Sequence, residues 1–331
     1  MIRPRLSKVA SGTTLTTDLV NDIINRTEYA ADLLRQYKLI AGTEMYVEPH
    51  YDGTRVSYLQ PVAGGATPKQ PISPLHGIVG SYRKNGITVG FIYDGTKYTD
   101  IVFPNATETS CIDIYNGKIV GAMTLSGQTR GFVYENGNYT SLESPIIGAT
   151  SNARGIYENL ITGFYTSAGL SKGYLYNGIS YTEINPPSSA NSFFPKIDQN
   201  NIVGYYAINR TQGNRGYITT TSLSSYQVYS APGAVDLFGL GTILTGIHNN
   251  TIIGFYFPSN VFPFPTTSFT LIGGNKVDIN YPGSNQTRFV GIYENSIVGQ
   301  YDSGYFLYDG STFTPIIAPS EVTNFAVFGI G

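Results

Sequence analysis

Apolar and polar residues alternate in short runs along most of this chain, the period-two pattern of half-buried strands, and turn residues punctuate the runs. From residue 72 onward the runs recur. An Ile-[Val/Thr/Ile]-Gly tripeptide stands at Ile78-Val79-Gly80, Ile119-Val120-Gly121, Ile161-Thr162-Gly163, Ile202-Val203-Gly204, Ile252-Ile253-Gly254 and Ile297-Val298-Gly299, with glycine spacings of 41, 42, 41, 50 and 45. A second anchor follows each: Gly90-Phe91, Gly131-Phe132, Gly173-Tyr174, Gly216-Tyr217 and Gly304-Tyr305, with Ser268-Phe269 as the departure. Turns such as Asp94-Gly95, Asn136-Gly137, Asn177-Gly178 and Asp309-Gly310 come next. These pairs mark hairpins, because a tight turn between strands needs positive φ angles that Gly and Asn tolerate.

Each unit therefore reads as four short strands, and a period of this length fits a propeller blade better than a solenoid coil. A further strand type, x-Gly-Ile, precedes the later units, as at Gly155-Ile156, Gly246-Ile247 and Gly291-Ile292, but the unit at Ile78 lacks one. Its copy stands at the far end, Ala326 to Ile330. The expectation for residues 72–331 is an all-β fold, a six-bladed β-propeller of four-stranded blades closed by the C-terminal strand, which leaves no open sheet edge.

Residues 1–71 differ in kind. Val20, Ile23, Thr27, Ala30, Leu34 and Tyr37 fall at steps of three and four between Thr16 and Lys38, with Asp18 near the start, and predict a helix. A hairpin is expected from Tyr46 to Gln60, turning at Asp52-Gly53, and a semi-rigid linker from Gly64 to Pro74. The whole is expected to be a small N-terminal α/β segment for attachment or oligomerisation.

Composition narrows the function. The 331 residues carry a net charge of −2, too weak a field to draw a polyanion, so nucleic acid is not an expected partner. Cys111 has no disulfide partner, and His50, His76 and His248 lie too far apart in sequence for a local zinc site. Neither a signal-peptide core nor a membrane span is visible, so no export route and no membrane span are expected.

Motifs for chemistry are sparse. A sialidase-type Asp box needs Trp, which the chain lacks, and no zincin, nucleophile-elbow or P-loop run occurs. No catalytic residue, metal ligand or cofactor is expected. A glycosidase-like carboxylate pair stays open as an alternative, either Asp100 with Glu183 or Asp113 with Asp198, since each pair occupies like positions in two repeats. Against it stands the ordinary role of such acids as solvated strand ends. Tyr82, Tyr165, Tyr206, Tyr256 and Tyr301, each two residues after a repeat glycine, are expected to pack between blades, with sugar stacking as the alternative. The non-repeating parts are the better binding candidates. Alternate connections emerge on one face, so the links Ala207 to Arg215 and Phe257 to Thr267, and those after Pro186 and Pro232, share a side opposite the tight turns. On it Phe257, Asn260, Phe262, Phe264, Asn209 and Arg210 are the expected ligand-binding residues.

The motif Gly-Ile-Tyr-Glu-Asn-x-Ile-Val-Gly-x-Tyr followed by Gly-[Phe/Tyr]-x-Tyr-[Asp/Asn]-Gly, clearest at Gly291 to Thr314 and Gly155 to Thr182, resembles the extracellular HAF-type repeats of bacterial secreted and surface proteins. That resemblance implies a propeller used for binding or adhesion. Asn21 to Arg26, with Gly53 to Pro61 after it, is similar to short attachment regions of tailed-phage virion proteins. Together they imply a structural virion protein, a tail appendage assembled in the host cytoplasm and released by lysis. Residues 1–71 would dock on other tail proteins, the propeller would bind a host-surface glycan or protein, and the usual symmetry of such appendages implies a homotrimer. The alternatives are a bacterial surface lectin or adhesin and a glycan-cleaving depolymerase.

Overall fold

Period-two runs cut by positive-φ turns produce strands and no helix among the residues described by the structure, a computed structural model covering residues 77–209, 211–237 and 239–331. The expected helix, hairpin and linker before residue 77 lie outside the described residues, so the stated fold is all-β and the α/β segment drops out of it. The chain runs through β1 (Ile78–Lys84), β2 (Ile87–Tyr93), β3 (Tyr98–Ile101), β4 (Glu108–Tyr115), β5 (Lys118–Leu125), β6 (Gln128–Glu135) and β7 (Asn138–Leu142). Then follow β8 (Thr150–Tyr157), β9 (Leu160–Ser167), β10 (Leu170–Tyr176) and β11 (Tyr181–Ile184), and after them β12 (Asn191–Asp198), β13 (Asn201–Ala207), β14 (Arg215–Thr220) and β15 (Tyr226–Tyr229). The last are β16 (Thr242–His248), β17 (Thr251–Tyr256), β18 (Thr267–Ile272), β19 (Asn275–Asp278), β20 (Thr287–Tyr293), β21 (Ser296–Tyr301), β22 (Gly304–Tyr308), β23 (Phe313–Ile316) and β24 (Thr323–Ile330).

The expectation of six separate four-stranded blades is corrected by the hydrogen bonding. Four sheets have four strands each, β8–β11, β12–β15, β16–β19 and β20–β23, and the other eight strands form one sheet in the order β24-β1-β2-β4-β5-β6-β7, with β3 on β2. A single parallel bridge, Thr88 of β2 to Glu108 of β4, joins the two halves of that sheet. Equivalent parallel bridges, Asn214 to Gly241 and Thr266 to Gln286, stay outside named strands and leave the later sheets separate.

At the axis β24, β4, β8, β12, β16 and β20 each touch the next, and β20 returns to β24. β24 pairs antiparallel with β1, and the Gly77 and Gly331 backbones exchange hydrogen bonds of 2.7 and 3.2 Å.

The repeat motif has a packing cause. Each Ile-x-Gly glycine pairs across the ladder with an aromatic: Gly80 with Phe91, Gly121 with Phe132, Gly163 with Tyr174, Gly204 with Tyr217, Gly254 with Phe269 and Gly299 with Phe306. These rings are at most 1% exposed. A Cβ on Gly121 would strike the Ser110 carbonyl and the Phe132 ring, so only glycine leaves the ring its place. Ser268-Phe269 therefore keeps the essential half of its anchor, and in the last repeat Phe306, one residue past Gly304-Tyr305, fills the role.

Candidate functional site

Five of the strands around the axis, and β24 with them, carry a register shift against their neighbour, a bulge just before the x-Gly-Ile glycine. Counted from the Ile-x-Gly glycine, the bulge glycines Gly155, Gly246 and Gly291 stand eight residues upstream. Glycine serves there because the next axial strand approaches closely: a Cβ on Gly155 would lie 3.0 Å from the Lys196 Cα and the Ile197 nitrogen. In β4 and β12 the same position holds Asp113 and Lys196, opposite Val120 and Val203. The two exceptions face each other across Gly155.

Lys196 Nζ lies 3.1 Å from Asp113 Oδ1 and donates to the Ile112 carbonyl at 3.3 Å, while Asp113 Oδ2 accepts the Ile156 N–H at 3.1 Å. Burial pushes the Asp113 carboxyl up and the Lys196 ammonium down, each against the pull of the other's charge. Such a pair specifies one arrangement more than it adds stability, since desolvation consumes most of the Coulomb energy. Arg154 occupies the bulge of β8 between them. Its guanidinium carbon lies 3.8 Å from the Phe194 ring centre and its Nε has no hydrogen-bond partner.

Two residues further along the axial strands a rim forms at the tight-turn end. Tyr115 packs at a tilt against Tyr157 at 4.8 Å, Asp198 accepts the Asn249 N–H at 2.8 Å and lies 3.6 Å from His248 Nδ1, and His248 meets Tyr293 at 4.7 Å. Asp113, Lys196, Asp198, Thr245 and His248 line a cavity of about 30 Å³ there, room for one or two waters and not for a sugar. No cluster of metal-binding side chains occurs among the described residues.

The expected acid pairs fare differently. Asp113 and Asp198 both reach this cavity but are not equivalent, because Asp198 pairs with Asn201 where Asp113 pairs with Val120. Asp100 and Glu183 are equivalent, and each accepts a tyrosine hydroxyl, from Tyr82 and from Tyr165 at 2.7 Å. Tyr256 repeats the contact with Asp278 at 3.2 Å. Three of the five repeat tyrosines, Tyr82, Tyr165 and Tyr256, thus bond acids within their own sheet. Tyr206 packs with Leu175 and Ile184, and Tyr256 with Val203, of the preceding sheet, as the expectation of packing between blades has it. Burial, then the hydrogen bond to Glu183, pushes Tyr165 up to about 12.

The long links form one connected surface. Asp236 accepts the Gly213 N–H at 2.8 Å and pairs with Arg215 at 3.1 Å, and Val235 donates to the Phe257 carbonyl at 2.8 Å. Gln286 donates to the Pro263 carbonyl at 2.7 Å. Of the expected binding residues, Phe262 is 81% exposed, Phe264 rests edge-on against it at 5.8 Å, Asn260 is exposed and Phe257 half-buried. Asn209 closes its own turn by accepting the Thr211 and Gln212 N–H groups at 2.9 Å, so its amide oxygen is occupied. Arg210 lies outside the described residues. Sequence reasoning missed Lys196 and Arg154, although a charged residue in an otherwise glycine or apolar bulge is a readable signal.

No protein-family model matches the chain, and no curated protein matches it in sequence. Solved structures do. A chain from a nidogen/laminin complex is similar at 10% identity and TM-score 0.50, over 77% of this chain and 97% of that one. A putative TolB from Agrobacterium tumefaciens is similar at 11% identity and TM-score 0.47, over 61% and 79%. At such identity the likeness concerns the backbone alone, and the fold it establishes is the β-propeller.

Proposed function

We propose that this chain is a non-enzymatic structural and binding protein of a virion, a tail appendage in which residues 1–71 dock on other tail proteins and the propeller meets a host-surface glycan. The observation that carries the binding role is the hydrogen-bonded long-link surface, on which Val261 is 67% and Phe262 81% exposed. Apolar side chains fixed in water on an anchored loop lose no further backbone entropy when a partner covers them, which is how a recognition surface gains affinity. The supporting family likeness is the HAF-type repeat, and the attachment-like segment before residue 72 supports the virion role.

The test uses labelled full-length protein on candidate host cells. Replacing Phe257 to Pro265 by a short Gly-Ser link is expected to reduce cell binding at least tenfold while the thermal transition persists. Unchanged binding refutes the loop's role, and absence of the chain from purified virions by mass spectrometry refutes the virion assignment.

A further inference from the structure

Resting on the glycan-binding function proposed above, we infer that Arg154 and the rings around it form a site for a carboxylate monoanion, the acid group of a uronic-acid sugar. The guanidinium carbon lies 3.8 Å from the Phe194 ring centre and 6.0 Å from that of Phe164, and Phe193 and Tyr205 pack against these rings. All four aromatics, Phe164 from β9, Phe193 and Phe194 from β12 and Tyr205 from β13, are half-buried. Phe164 and Phe194 lie 5.4 Å apart, Phe193 stacks on Tyr205 at 5.3 Å, and Phe194 meets Tyr205 edge-on at 5.5 Å. Phe194 holds a φ of 49°, a left-handed conformation that is strained for an aromatic residue and that clusters at ligand sites.

Charge and geometry favour the same ligand. Arg154 makes no ion pair among the described residues, and the carboxylate nearest in charge, Asp113, is already held by Lys196 and the Ile156 N–H. Two cations therefore share one carboxylate, which leaves one positive charge uncompensated. A guanidinium lying on a ring face keeps its in-plane N–H groups free, and that planar fork matches a carboxylate in bidentate fashion. Burial lowers Arg154 to about 10, still protonated at neutral pH. One uncompensated positive charge is balanced by a monoanion, so a phosphate monoester, which carries more negative charge, fits less well than a carboxylate. The ring faces of Phe193 and Tyr205 offer the apolar platform on which sugar C–H groups stack.

NMR titration of the full chain compares sodium D-glucuronate with its methyl ester, D-glucose and inorganic phosphate. Glucuronate is expected to bind at least tenfold more tightly than the other three. Arg154→Met is expected to abolish that difference and Arg154→Lys, which keeps the charge without the fork, to reduce it several-fold. Arg288→Met, which removes a second guanidinium on other rings, should change nothing. Glucuronate binding no better than ester or phosphate, or surviving unchanged in Arg154→Lys, overturns the site. Loss of uronate discrimination with cell binding intact refutes this inference alone, whereas cell binding indifferent to the Phe257 to Pro265 loop refutes the recognition surface alone.

Discussion

The interior of the sheets and the axis are built from the same repeats but under different constraints. Within the sheets every Ile-x-Gly glycine faces a buried Phe or Tyr, so one solution is copied through the domain. Along the axis the equivalent positions hold Gly in β8, β16, β20 and β24 but Asp113 in β4 and Lys196 in β12. A repeated packing contact tolerates no variation because its neighbours are copies. The axial strands meet one another at a centre where a departure in one can be answered by a departure in another, and that is where individual chemistry concentrates.

The sharpest way to break this comparison is to separate the two axial exceptions. Lys196→Gly removes the direct ion-pair partner of buried Asp113, leaving only the more distant Arg154 charge near it, and is expected to cost about 3–5 kcal/mol. The double variant Asp113→Gly with Lys196→Gly restores the residue found at the four other equivalent positions and should be markedly more stable than that single variant. Urea unfolding measures both. A double variant no more stable than the single would show that the two charges do not depend on each other.

Inside the sheets the corresponding test is Gly121→Ala. Its Cβ meets a backbone carbonyl and a fully buried ring, neither of which can move freely, so a loss of about 1–3 kcal/mol is expected from overpacking. Calorimetry showing an unshifted transition would refute the glycine-aromatic account. Lys196→Gly should exceed Gly121→Ala, since an unpaired buried charge is the costlier defect.

A smaller effect separates tyrosines at two different repeat positions. Tyr165→Phe removes a hydrogen bond to Glu183 and is expected to cost about 1 kcal/mol. Tyr217→Phe should cost nothing or stabilise, because its buried hydroxyl has no partner. The sign of the pH effect follows. Tyr165 holds its proton more tightly folded than unfolded, so its contribution is complete below pH 10, the ordinary tyrosine value, and is lost as pH rises toward about 12. Stability profiles of wild type and Tyr165→Phe should converge over that interval, and parallel profiles would contradict the assignment.

These contrasts also show what the chain reveals before folding. Strand positions and tight turns were legible because alternation and Asp-Gly or Asn-Gly pairs have local causes. The joining of two units into one sheet was not, since the bridge from Thr88 to Glu108 is one contact between neighbouring repeats and leaves no mark in the pattern of either. Asp113 and Asp198 looked equivalent by their place near strand ends, yet they stand eight and six residues before their repeat glycines. Counting from that glycine pairs Asp113 with Lys196 instead. Exposure of Phe262 agreed with the apolar composition of its loop, whereas the aromatic surround of Arg154 joins two sheets and has no signature within a single repeat.

The smallest expected effect lies at the hairpin turns, where the repeats differ by a single charge. Asp309 accepts the Ser311 and Thr312 N–H groups at 2.8 and 2.7 Å, and the two hydroxyls add further bonds, led by Thr312 Oγ1 at 2.6 Å. Side-chain bonding from Thr312, followed by its backbone N–H, holds the carboxyl far below the usual range. Asn177 occupies the like turn with a neutral amide accepting the Ile179 and Ser180 N–H groups at 3.0 and 2.8 Å. A depressed folded-state pKa contributes stability above the unfolded carboxyl value that is lost as pH falls through the folded value. Asp309→Asn, which copies the other turn, should therefore leave neutral-pH stability nearly unchanged and flatten the acid limb of the stability profile. Carboxyl NMR of the parent chain should find Asp309 still ionised at pH 3, and a midpoint near 4 would mean that the turn's donors point elsewhere in solution.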